Sequence, residues 1–169
     1  QRQPMKTLTI LRHLKSSWKD SHLPDIERPL SRRGKEDAPV MATRIREAGI
    51  RPSLIISSPA NRAWTTAKFI AKEISYPIEF LQRERDMYLA NVEQILELLE
   101  RQDNKFNSIM IVGHNPGLTE FANYLLPQLT DNIPTGGVVS LNIETDDWNL
   151  RERGPAELLV FDYPKSERP

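Results

Sequence analysis

Residues 108–117 read Ser108-Ile109-Met110-Ile111-Val112-Gly113-His114-Asn115-Pro116-Gly117. The first half is a continuous apolar run rich in β-branched residues, the pattern of a strand buried on both faces. The second half holds two glycines, an asparagine and a proline, the chemistry of a tight turn. Beyond it Leu118, Phe121, Ala122 and Leu125 step by three and four, one apolar helical stripe ending by Pro127. Strand, turn and helix thus follow one another within about 18 residues, the rhythm of an α/β unit.

The same unit recurs. Thr7 to Leu11 and Ser53 to Ser57 are buried-strand runs, and Ile78 to Leu81 is read as a short further strand. Val138 to Ile143 and Leu158 to Phe161 give two more, joined by a polar stretch that suits a hairpin or meander. Helical stripes lie between them: Ala38, Met41, Ile45 and Ala48; Ala63, Ala67, Ile70 and Ile74; Val92, Ile95, Leu96 and Leu99. Ser31 is a fitting N-cap and Gly49 a fitting stop. Pro39 predicts that the first helix starts late or kinks. The expected fold is a three-layer α/β sandwich, a mainly parallel sheet flanked by helices. Residues 5–169 are expected to form one domain. Gln1 to Pro4, ahead of Met5, read as an added segment or a mis-set start.

Composition narrows the chemistry. The chain has 169 residues, 23 basic and 23 acidic side chains, three histidines and no cysteine. Without cysteine there is no thiol nucleophile, disulfide or thiolate metal site. A formal charge of zero argues against bulk binding to nucleic acid or an anionic membrane. A local anion pocket remains open, because net charge is silent on distribution. No apolar run has the length of a membrane span, and a soluble cytoplasmic protein is the expectation.

Ligands of open α/β sheets sit beyond the carboxyl ends of the strands. Arg12-His13 follows the first strand. Ser57-Ser58-Pro59-Ala60-Asn61-Arg62 follows the second, and Gly113-His114 follows the run quoted above. Two permanent cations and two imidazoles therefore meet at one edge. The arginines can clamp an anion, and the imidazoles can attack or donate. Helix N-termini beside them suit phosphate. His22 lacks such placement and reads as a loop residue.

Leu11-Arg12-His13, Ser57-Ser58 through Arg62-Ala63 and Thr66-Ala67, and Gly113-His114-Asn115 resemble the histidine phosphatase superfamily, also called phosphoglycerate-mutase-like. The family's first motif is usually Arg-His-Gly, and its middle motif is Ser-Ser-x-x-x-Arg-Ala-x-x-Thr-Ala. The resemblance runs from Thr7 to about Val139. The short chain, Lys15-Ser16-Ser17-Trp18 and Asp25-x-x-Arg28-Pro29-Leu30-Ser31-x-x-Gly34 look most like the branch typified by the phosphohistidine phosphatase SixA. The resemblance implies that His13 attacks phosphorus and carries a transient phosphohistidine. It implies that Arg12, Arg62 and His114 bind the phosphoryl oxygens, with Ser16 and Lys15 as further substrate contacts. It implies no metal or cofactor. The implied partner is a phosphorylated protein or a small phosphorylated substrate.

Physical chemistry adds expectations. The two arginines should hold His13 neutral, and a backbone carbonyl should hold one ring nitrogen as donor. Leu14 stands where most members have glycine. No general acid is evident: Glu84 and Asp86 read as a solvated turn, and Asp20 and Asp25 are unsupported candidates. A site without an acid suits N–P bonds, whose protonated nitrogen leaves as a neutral base, or phosphates with good leaving groups. Alternatives are a phosphatase of a small metabolite and a binder of phosphorylated ligands without turnover. Arg28, Arg32 and Arg33 read as a solvated basic cluster able to attract an acidic partner. Trp18, Trp64 and Trp148 read as packing residues, with Trp18 near enough to line a pocket mouth. Thr135-Gly136-Gly137 reads as a turn.

Overall fold

The computed structural model describes residues 3–166. Its strands are β1 (Met5–Arg12), β2 (Leu54–Ser57), β3 (Gln82–Arg83), β4 (Ser108–Gly113), β5 (Val138–Glu144) and β6 (Ala156–Asp162). Its helices are α1 (Arg32–Glu47), α2 (Asn61–Glu73), α3 (Val92–Glu100) and α4 (Gly117–Leu125). The strands form one sheet in the order β3-β2-β4-β1-β5-β6. The β3-β2-β4-β1 half is parallel, whereas β5 and β6 run antiparallel, joined by the expected hairpin-like connection.

Alternation along β4 explains the layers. Ile109 and Ile111 point into a cluster with Ile95, Leu99, Leu118 and Phe121 of α3 and α4. Met110 and Val112 point the other way, against Met41 and Ile45 of α1 and Ala67 and Ile70 of α2. Both faces are covered, so no polar residue interrupts the run. Trp148 is fully buried in the first cluster, as a packing residue should be.

Two expectations are corrected. Ile78 to Leu81 is not a strand: Ile78–Phe80 is a 3-10 turn, closed by Phe80 N–H to Pro77 O at 3.0 Å and Leu81 N–H to Ile78 O at 3.0 Å. Ile78 and Phe80 are exposed, and pairing begins only at Gln82. Of the two outcomes expected of Pro39, a late start of α1 or a kink, the late start does not occur. Ser31 Oγ accepts from Gly34 N–H at 3.0 Å and caps it at Arg32, and Pro39 sits inside. Pro39 and Lys35 share the solvent side, where water can meet the carbonyl that proline leaves without a donor.

Gln1 and Arg2 lie outside the described residues. Pro4 is tied to the fold, its carbonyl accepting from Thr145 N–H at 3.0 Å.

Candidate active site

The parallel strands deliver the predicted residues to one edge. Arg12 closes β1 and His13 follows it, with His13 N–H donating to Gly113 O at 3.1 Å. Ser58 N–H donates to Val112 O at 2.9 Å, which leads the chain after β2 into α2 and its second residue, Arg62. His114 follows β4 directly. Gly117 opens α4 against the loop before α3, so closely that a Cβ there would lie 1.8 Å from Ala90 O. No side chain fits that approach.

A cleft of about 420 Å³ is lined by Arg12, His13, Arg62 and His114, together with Lys15 and Ser16. All six predicted residues therefore meet. His13 is 6% exposed, and Arg62 and His114 are 3% exposed, so they form the floor. The two imidazole ring centres lie 5.2 Å apart. Glu84 and Asp86 do not line this cleft, and Asp86 is paired outward with Arg101 at 3.1 Å. Asp20 caps the backbone of His22 in an exposed loop.

Each ring has one fixed nitrogen. His13 Nδ1 lies 2.7 Å from Leu14 O, which makes Nδ1 the protonated donor and leaves Nε2 its lone pair. This is the backbone carbonyl expected from the sequence. His114 Nε2 lies 2.7 Å from Ser58 Oγ, which also accepts from Ala60 N–H at 3.2 Å. His114 Nδ1, Arg12 Nε and Arg62 Nε are buried with no hydrogen-bond partner among the described residues. Buried polar groups without partners are costly; two of these are permanent arginine N–H donors, and all three residues line one cleft, which suits an anion.

Burial is the main reason that His13 is pushed down to about 4. The charges of Arg62, Arg12 and Arg28 add to it, while the Leu14 carbonyl pulls the other way. The arginines are thus secondary to burial, a correction to the cause inferred from sequence. His114 is pushed down to about 3, again by burial first and then by His13 and Arg62. Both rings are neutral near pH 7.

Leu14 fits without glycine. It is absent from the residues with positive φ, and its side chain is buried against Leu30 and Ala38. Its N–H donates to Thr66 Oγ1 at 3.0 Å, and that hydroxyl donates to Arg62 O at 2.7 Å. Thr66 therefore fastens the loop after β1 to α2, a role that its sequence position did not suggest.

Sequence reasoning missed two neighbours, Arg28 and Tyr88, and named a third, Asp25, only as an unsupported candidate acid. Arg28 is not solvated: it is 6% exposed, lines the cleft and stacks its guanidinium 3.4 Å from the centre of the Trp18 ring. Asp25 also lines the cleft. It accepts from Arg28 Nε at 3.2 Å, Arg62 Nη2 at 3.0 Å and the Tyr88 hydroxyl. The 3-10 turn Asp25–Glu27 brings Asp25 and Arg28 together, and their i,i+3 spacing was the available signal. Tyr88 had no signal: it stands edge-on to His114, ring centres 5.5 Å apart. Burial, the largest single influence on Asp25, pushes its pKa up. The hydrogen bonds from Tyr88 and Arg62 and the charges of Arg62 and Arg28 together outweigh it and hold the carboxyl at about 2.

A family model for the histidine phosphatase superfamily (branch 1) matches residues 8–111. The chain belongs to the histidine phosphatase superfamily. An uncharacterized chloroplastic protein of Arabidopsis thaliana is 31% identical over 133 residues, covering 71% of this chain. The match spans 59% of that relative's own length. Among solved structures, a candidate phosphohistidine phosphatase SixA of Agrobacterium tumefaciens superposes with a TM-score of 0.79 at 25% identity, over 94% of this chain and 98% of the other. The protein histidine phosphatase SixA complexed with tungstate gives 0.77 at 18% identity, over 94% and 97%. The phosphoglycerate-mutase-like sandwich expected from the sequence is the fold observed. Among the described residues no helix is long and apolar enough to cross a membrane, and no group of three or more His, Asp or Glu side chains is placed to hold a metal ion.

Proposed function

We propose that this chain is a phosphatase that forms a phosphohistidine on His13, and that its substrate is phosphohistidine in another protein. The observation that carries the reading is the pairing of His13 Nδ1 with Leu14 O at 2.7 Å, which leaves Nε2 its lone pair in a cleft that Arg12, Arg62 and His114 also line. A neutral ring with one fixed proton is what nucleophilic attack requires.

In the first step the Nε2 lone pair forms a bond to phosphorus. The bond from phosphorus to the substrate nitrogen breaks, and its electron pair leaves with that nitrogen. In the second step the oxygen of a water attacks phosphorus. The P–Nε2 pair returns to His13, one water proton passes to solvent or product, and inorganic phosphate departs. Arg12, Arg62 and His114 stabilise the charge on the equatorial oxygens, the main demand of phosphoryl transfer. For His114 this requires Nδ1–H, and hence a Ser58 hydroxyl that donates to Nε2.

The choice of phosphohistidine is supported by the cleft's shape and its carboxylate. Its mouth is open, with Trp18 76% exposed, so a side chain presented by another protein can enter. Asp25, the carboxyl that lines the cleft, is ionised near neutral pH and has no proton to give an alkoxide. A nitrogen leaving group needs none.

The test is phosphate release from a phosphohistidine-bearing protein and from p-nitrophenyl phosphate, with acid-labile phosphate on His13 trapped by rapid quench. Labelling and turnover that disappear in His13→Ala, with preference for the N–P substrate, support the reading. Turnover without label on His13 overturns the mechanism. Labelled turnover of aryl or alkyl phosphates alone overturns the substrate.

A further inference from the structure

A carboxylate in a pocket built for an anion is a conflict that needs a reason. Asp25 shares the cleft with Arg12, His13, Arg62 and His114, and a phosphoryl group on that floor is repelled by it. The carboxylate is nevertheless fixed there: Arg28 holds Oδ1, and Arg62 and Tyr88 both donate to Oδ2. Three donors leave room for one more on a group that accepts about four.

Depth places that remaining position. The floor residues are almost wholly buried, whereas the Asp25 side chain is 42% exposed, beside exposed Trp18 and Leu89. In-line displacement puts the leaving atom on the far side of phosphorus from His13 Nε2. That side is the mouth. Exposed residues that line the cleft on the way out include Asp25, Trp18, whose ring Arg28 holds, and Leu89.

From this geometry we infer that Asp25 is a specificity residue for cationic leaving groups, pairing with the protonated ring of an N-phosphorylated imidazole. The inference rests on the phosphohistidine reading above. A phosphoimidazole protonated at its other nitrogen carries positive charge on the ring. When the P–N bond breaks, the electron pair passes to the ring nitrogen and a neutral imidazole departs, so no proton is needed from the protein. Asp25 favours the charged, reactive form before cleavage. The same carboxylate opposes the dianion of an ordinary ester, which brings no cation to offset it. One group thereby raises turnover of N–P substrates and lowers turnover of O–P substrates.

A purely structural role is the competing account, since Asp25 also orients Arg62. The experiment separates the two through a ratio. Wild type, Asp25→Asn and Tyr88→Phe are compared on a phosphohistidine-bearing peptide and on p-nitrophenyl phosphate, with vanadate inhibition reporting the anion floor. In Asp25→Asn the ratio of kcat/KM, N–P over O–P, is expected to fall at least about tenfold, the scale of one hydrogen bond between charged groups. Equal losses on both substrates, or an unchanged ratio, overturn the inference and leave Asp25 as a support for Arg62. Tyr88→Phe removes one donor and keeps the charge, so its ratio should hold or rise. A tenfold fall there overturns the inference even if Asp25→Asn fails to fold. Wild type that cleaves p-nitrophenyl phosphate but not the N–P peptide overturns the substrate reading first, and this inference with it.

Discussion

Ser58 and His114 are locked together: Oγ lies 2.7 Å from Nε2 in a fully buried contact, and the opposite ring nitrogen has no partner among the described residues. Ala60 N–H occupies one acceptor position of the hydroxyl. If the hydroxyl donates to Nε2, the His114 proton is forced onto Nδ1, the only tautomer that can donate to an anion. Ser58→Ala is expected to lower kcat about tenfold, the worth of one buried hydrogen bond, with the fold retained. Ser58→Thr should recover much of the loss. Steady-state kinetics of both variants check this, and an unaffected Ser58→Ala removes the tautomer argument.

The floor residues should differ in severity. His13→Ala should abolish turnover. Arg62→Ala should lower kcat by a factor of about 100–1,000, the usual cost of one pre-aimed donor. A near-normal Arg62→Ala enzyme would take Arg62 out of the site.

The two buried imidazoles make stability pH-dependent. Their folded values are about 4 and about 3, against 6.5 for an ordinary histidine. Above pH 6.5 neither state takes up protons, and the contribution is flat. As pH falls below 6.5 the unfolded chain binds protons that the folded protein refuses, so stability declines until the folded values are reached. The slope is about 1.4 kcal/mol per pH unit for each imidazole. Asp25 acts lower: its contribution is present above about pH 4 and is lost toward pH 2. Urea midpoints at pH 7, 6 and 5, in buffer free of phosphate, should fall steadily. His114→Gln should roughly halve that slope, and an unchanged slope would refute the assignment.

Gly34 lies where α1 meets the loop after β1. A Cβ there would sit 2.2 Å from Lys15 O, the carbonyl that also accepts from Ser31 N–H and Ser31 Oγ. Gly34→Ala is expected to cost about 1–3 kcal/mol and to weaken substrate binding by displacing Lys15 and Ser16. Thermal melts and KM measure the two effects separately.

What the sequence could disclose depended on burial. β1, β2 and β4 are covered on both faces, so their apolar runs announced them, and the chemistry at their ends followed from topology. β3 has two exposed residues, and the apolar run before it belongs to a surface turn, so composition pointed to the wrong segment. Arg28 carried the polar appearance of its neighbours Arg32 and Arg33. Its burial comes from the return of the chain through Ser16 and Leu30, which pair across 14 positions, and no local pattern encodes that. Asp25 and Tyr88, 63 residues apart, meet only through the tertiary fold.

The buried nitrogens of Arg12, Arg62 and His114, without partners among the described residues, have a consequence for how the protein lives with its own product. Released inorganic phosphate offers the acceptors that these groups lack, so it should cling to the folded state and raise its melting temperature. The same hold slows the next encounter. Product inhibition and ligand-induced stabilisation would then be one phenomenon, rising together with phosphate concentration and disappearing together when either arginine is removed.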